Sequence, residues 1–161
     1  MNYFDLLNLP ISYSIDLKAL DKQYFALQLK YHPDRAHSET DKAQFLNTST
    51  SINAAYKTLK NDYTRAVYIL KLHHIDLEND AANYRLPHDV LEEIWDAREE
   101  LQDTKDLQSF IFDKTEESKR LVADLSAAFC AASYEKAATL TIRLKYLESL
   151  IEAAKEMERL H

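Results

Sequence analysis

The residues of this chain best suited to specific chemistry stand in a row: His32, Pro33 and Asp34. Proline fixes φ and holds the flanking imidazole and carboxylate outward in one geometry, so the trio loses little rotational freedom on docking. It reads as a rigid polar peg, the alternative being a plain helix-terminating proline turn. Lys18, Lys22 and Lys30 recur on the segment before it and Arg35 follows it. At about 100° per residue the lysines lie opposite an apolar stripe and project into solvent. A charge run taken alone is a solvated face; beside the peg it suits an acidic docking surface. A third constellation is Leu91 and Trp95, bordered by Glu92, Asp96, Glu99 and Asp103. Nothing here suggests turnover. His37, His73, His74 and Cys130 offer no ligand spacing, no metal or cofactor is expected, and no residue is assigned a catalytic role. The acidic pairs read as solvated helix faces, and Cys130, beside Phe129 on an apolar helix, is expected to be a small buried residue.

Composition narrows the scaffold. Of 161 residues, 46% are hydrophobic and 29% charged, which excludes disorder and fibre, and glycine is absent. Phosphate-cradling loops, dinucleotide turns and nucleophile elbows need glycine where φ is positive or a ligand comes close. Tight hairpin turns need it too, so an all-α fold is expected. One cysteine cannot close an internal disulfide, and no apolar run reaches membrane length, so a cytoplasmic address is expected. Net charge is −7, unevenly spread: residues 1–75 carry 9 Lys and Arg against 7 Asp and Glu, residues 76–161 carry 11 against 20. So acidic a second half repels nucleic acid and anionic membrane and suits a basic or mixed protein partner.

The elements that must position these residues follow from helical periods. Leu17, Leu20, Tyr24, Leu27 and Tyr31 mark one face of a helix capped near Asp16, which must stop before Pro33. Phe45, Ser49, Ile52, Tyr56 and Leu59 mark a second helix of similar length, starting near Thr40 or Asp41. The two make an antiparallel hairpin with the peg at its turn, flanked by a short opening helix over 3–7 and another over 62–73. Phe25 and Leu29 are expected as packing edges of the first hairpin helix. A polar, unperiodic stretch from His74 to Pro87 is the expected boundary, giving domains over 1–74 and 88–161 with a linker over 75–87. Beyond it, helices over 89–103, 106–131 and 134–160, the last capped by Ser133, should close into a three-helix bundle. In the first of these Val90, Ile94, Ala97 and Leu101 already supply a core face, so Leu91 and Trp95 form a second apolar stripe. Either a wide core takes up both stripes, or the second is a binding patch with an acidic rim.

A helix, His-Pro-Asp, helix arrangement behind an opening YFDLL resembles the J domain of chaperone ATPase partners. The whole chain resembles the HscB family, J-domain co-chaperones of iron-sulfur cluster assembly, through NYFDLLNLP, QLKYHPDR, SINAAYKTLKNDYTRAVYILKLHHIDL, LEEIWDAREEL and RLKYLESL. That resemblance implies a non-enzymatic adaptor. Its J domain would stimulate an HscA-type ATPase of the DnaK class through His32, Pro33, Asp34, Arg35, Lys18, Lys22 and Lys30. Its bundle would hold the scaffold protein IscU through Leu91, Trp95, Asp96, Glu99, Asp103 and Tyr146. Two alternatives are a J protein of a general DnaK-type chaperone with another client, and a structural adaptor whose tripeptide is incidental. The paired CxxC motifs of many eukaryotic relatives are absent, which implies a bacterial-type protein without zinc.

Overall fold

Polar side chains satisfy the first amides of most helices. Asn2 and Asp5 form a reciprocal capping box on α1 (Tyr3–Leu6). Asp16 caps α2 (Leu17–Lys30), Ser38 caps α3 (Glu39–Lys60) and Asp106 caps α6 (Leu107–Cys130). The remaining helices are α4 (Asp62–Leu72), α5 (His88–Asp103) and α7 (Tyr134–Arg159), and Pro33–Arg35 form one 3₁₀ turn between α2 and α3. The computed structural model describes residues 1–79 and 86–161, and the described residues contain no strand. The chain divides into two compact units, Met1–Ile69 and Leu70–His161. Part of the linker expected over 75–87 lies outside the described residues.

In the first unit Phe4, Leu7, Leu20, Ile52, Ala55, Leu59 and Ala66 are fully buried. Each large one contributes about 1.5–3 kcal/mol through the water it leaves. A buried cation sits among them. The Arg65 guanidinium donates to the carbonyls of Tyr13 and Leu59, both at 2.7 Å, and pairs with the Asp62 carboxylate at 2.6 Å. It therefore ties the glycine-free segment between α1 and α2 to the junction of α3 and α4, with its charge and donors satisfied.

In the second unit α6 and α7 carry most of the core, including Leu121, Leu125, Leu144 and Leu147, whereas Leu101 is the buried residue of α5. Leu101 joins Phe110, Leu150 and Ala154 in one cluster, so α5 is anchored at its C-terminal end.

The structure departs from the sequence reading at several positions. Leu17 is exposed, because the first turn of α2 projects beyond the core that Leu20 enters. Phe25 and Leu29 are 62% and 64% exposed, which makes them surface residues and not packing edges. Cys130 is exposed, since it stands on the side of α6 opposite the buried Leu121, Leu125 and Ala128. Ser133 stands at the N-cap of α7 without a side-chain capping bond, and its backbone amide closes the end of α6 by donating to the Ala128 carbonyl at 2.9 Å.

That closure exposes a cost of having no glycine. Asn8, His74 and Ala132 all adopt positive φ, at 54°, 64° and 54°, and each stands just past a helix end. In every case the next amide reaches back five residues: Leu9 to Phe4, Ile75 to Leu70, Ser133 to Ala128, each at 2.9 Å. These are Schellman endings, which ordinarily use glycine. Asparagine tolerates the left-handed region; alanine has a Cβ in conflict with it and no compensating side chain. Ala132→Gly should therefore stabilise the second unit by about 1 kcal/mol, raising its midpoint in thermal unfolding by a few degrees. An unchanged or lowered midpoint would show that the αL backbone at Ala132 is not strained.

Candidate functional site

The first candidate site is held up by the seam between α2 and α3. Its lower part is apolar, Leu20 being buried with Ile52, Ala55 and Leu59. Above that, side chains pair in antiparallel register toward the turn. The Tyr56 hydroxyl donates to the Asp21 carboxylate at 2.7 Å, and Lys60 contacts both groups. Tyr24 stacks on Tyr56 with centroids 4.0 Å apart and donates to Asn53 at 2.7 Å. Gln28 and Ser49 hydrogen-bond at 2.8 Å, and Tyr31 meets Phe45 edge to face at 5.6 Å. Stacked rings and charge-assisted bonds fix the separation of the helices without needing deep burial.

At the top, His32 caps the 3₁₀ turn. The Asp34 amide donates to His32 Nδ1 at 3.2 Å, and the Arg35 amide to the His32 carbonyl at 2.9 Å. An accepting Nδ1 carries no proton, so the 3.5 Å approach of the Asp34 carboxylate is not an ion pair in this tautomer. The His32 and Asp34 side chains remain 57% and 87% exposed. The trio is thus a fixed turn presenting an imidazole and a carboxylate to solvent. Among the described residues no group of three or more His, Cys, Asp or Glu could hold a metal ion.

Lys18, Lys22, Lys30 and Arg35 are all exposed, and none has a carboxylate partner among the described residues. Lys18 and Lys22 share a side of α2 with exposed Phe25 and Leu29. Lys30 lies about a quarter turn away, its ammonium 5.2 Å from the Tyr31 ring centroid. Phe25 and Leu29 are the surface residues that sequence reasoning missed. Their helical angles, about 80° and 120° from Leu17, put them among the lysines and would have revealed them.

The second candidate site is the outer face of α5. Trp95 is 64% exposed and Leu91 39%, so the second apolar stripe is not taken into the bundle core. Tyr146 on α7 is 38% exposed, with the Arg98 guanidinium 6.0 Å from its ring centroid. Among the acidic residues of α5, Glu92 lies 3.3 Å from His88 Nδ1 on its own helix, and five others fall into two sets. Glu93 pairs with Arg143 of α7 at 2.5 Å, and Glu100 with Lys114 of α6 at 3.7 Å. Asp96, Glu99 and Asp103 are exposed and have no cationic partner among the described residues. The outer face therefore carries an apolar centre beside an uncompensated negative field.

Comparison with known proteins covers both units. A DnaJ domain model matches residues 2–68, and the HSCB C-terminal oligomerisation domain model matches 86–155. A co-chaperone protein HscB homolog of Aliivibrio salmonicida is 30% identical over 167 residues, covering 98% of this chain and 97% of the relative. The structure of chaperone HscB from Vibrio cholerae superposes with a TM-score of 0.86 at 30% identity, covering 99% of each chain. Human co-chaperone protein HscB superposes with a TM-score of 0.91 at 28% identity, covering 98% of this chain and 82% of that one.

The seam below the turn carries a pH signature. The Tyr56 hydroxyl, and after it Lys60, hold the Asp21 carboxyl below its ordinary 3.8, while the Tyr56 and Asp21 oxygens hold Lys60 above 10.5. A lowered acid stabilises the fold above its unfolded pKa and loses that contribution as pH falls through the folded value. A raised base stabilises below its unfolded pKa and loses it as pH rises through the folded value. The network therefore contributes fully between 3.8 and 10.5. Asp21→Asn should lower the stability of the first unit at pH 7, and the gap from the wild type should close as pH falls below 3.8. Denaturant unfolding across that range reads it; a gap independent of pH would show that the carboxylate's charge plays no part.

Proposed function

Because the chain belongs to the HscB family of co-chaperones for iron-sulfur cluster assembly, we propose that it docks an HscA-type ATPase of the DnaK class on its first unit and the scaffold protein IscU on its second. The docking turn is His32, Pro33, Asp34 and Arg35. Its flank is Lys18, Lys22 and Lys30, with Phe25 and Leu29 supplying apolar contact among the charges. What supports this is that the cations of α2 lack carboxylate partners among the described residues while Lys60, on the seam, has one. Unpaired exposed lysines cost little to hold in water and attract an acidic surface over about a Debye length.

The observation that carries the scaffold reading is the outer face of α5. Leu91 and Trp95, with Tyr146 across on α7, offer exposed apolar anchors, and Asp96, Glu99 and Asp103 stand around them without a cationic partner among the described residues. Aromatic anchors at the centre of a patch carry most of an interface's energy, and the charged rim sets encounter rate and orientation. A basic protein partner fits that arrangement. The chemistry belongs to the ATPase; this chain holds client and chaperone together, raising the effective concentration of one at the other. We place this work in the cytoplasm of a bacterium, where the exposed, unpaired Cys130 stays reduced.

Two measurements on the intact chain test the reading. Leu91→Ala with Trp95→Ala should weaken IscU binding in calorimetry by about 2 kcal/mol or more, roughly thirtyfold, while ATPase stimulation without client survives. His32→Gln or Asp34→Asn should abolish stimulation with folding and IscU affinity near wild type, because exposed side chains contribute little packing. Stimulation retained in either folded variant, or IscU binding untouched by loss of both anchors, would reject the corresponding half of the assignment.

A further inference from the structure

The first half of α5 is weakly held by packing. Val90, Ile94 and Ala97 are only partly buried, and the buried anchor Leu101 lies at the far end of the helix. Beneath Ile94 and Ala97 a groove of about 330 Å³ separates α5 from Leu147 and Leu150 of α7. No capping side chain fixes the helix start, where Pro87 stands at the N-cap. Yet this half carries Leu91 and Trp95, whose placement relative to Tyr146 decides whether they form one surface.

An ion pair crosses the groove there. Arg143 Nη2 lies 2.5 Å from Glu93 Oε2, with Arg143 three residues before Tyr146 and Glu93 two before Trp95. We infer that the Arg143–Glu93 ion pair is the positioning contact that holds the N-terminal half of α5 against α7 and so assembles Leu91, Trp95 and Tyr146 into one partner-binding surface. This rests on the scaffold-binding reading given above. The neighbouring charges sharpen the assignment. Lys114 is engaged with Glu100 and Glu117, at 3.7 and 3.5 Å, and Arg98 lies over Tyr146. Arg143 is therefore the cation left for Glu93. A partly exposed pair contributes modestly to global stability, but where local packing is sparse the same contribution is a large share of what holds the segment.

The test uses the intact protein. Arg143→Ala and Glu93→Gln should each speed amide hydrogen exchange severalfold over the first half of α5, with α6 and α7 unchanged, and weaken IscU binding about threefold to fivefold. The reversed pair, Glu93→Arg with Arg143→Glu, should restore both. The inference is overturned by unchanged α5 exchange, by faster exchange with unaltered affinity, or by faster exchange spread through α6 and α7 that reversal does not rescue. Failure of the scaffold-binding reading shows separately, as absence of IscU binding by the wild-type chain.

Discussion

Four side-chain pairings climb from the core of the first unit to its turn: Asp21 with Tyr56 and Lys60, Tyr24 with Asn53, Gln28 with Ser49, Tyr31 with Phe45. They hold α2 and α3 at one separation where burial is too shallow for apolar packing to do so. The turn at their end could not otherwise keep an imidazole and a carboxylate in fixed relation, because a three-residue 3₁₀ segment has little cohesion of its own. Asp21, Tyr24, Gln28, Ser49, Asn53 and Tyr56 are partnered across the seam, whereas the outward cations of α2 have no carboxylate partner among the described residues. The seam sets the geometry of the turn, and the charge beside it is free for another protein.

The second unit repeats the division on one helix. Glu93 and Glu100 are matched by Arg143 and Lys114 on the neighbouring helices, while Asp96, Glu99 and Asp103 are exposed and unmatched among the described residues. Trp95 and Leu91 belong to the outward set. Apolar surface of that size on a small bundle is held at a cost in solubility that a partner would relieve. The cores need no such explanation: Leu101, Phe110, Leu150 and Ala154 close against one another.

Periodicity locates the longer described helices, because the apolar repeat and its punctuation by Pro33 and Pro87 are local properties. The tripeptide between two matched helices is legible for the same reason. Pairing is not local. That Glu93 meets a cation 50 residues away while Asp96 meets none depends on how α5 lies on α7. A helical wheel also marks Tyr24, Ser49 and Tyr56 as core-facing without revealing that their seam is hydrogen-bonded. The absence of glycine points correctly to helices, and positive φ still occurs at Asn8, His74 and Ala132, where Schellman closures compensate the strained residue with two backbone hydrogen bonds. Leu17, Phe25, Leu29 and Cys130 were misjudged since apolar character was taken as burial, a rule that holds only in one direction.

The central claim is that one chain must carry both surfaces, so that client and ATPase meet through it. The direct measurement is IscU-dependent ATP hydrolysis by the HscA-type chaperone, at about micromolar chain, with the His32→Gln variant and the Leu91→Ala, Trp95→Ala variant mixed in equal amounts. Tethering predicts that the mixture, though it contains an intact copy of each surface, falls well short of the wild type, because the local concentration that linkage supplies is lost when the surfaces are on separate molecules. Full wild-type stimulation by the mixture would contradict the account.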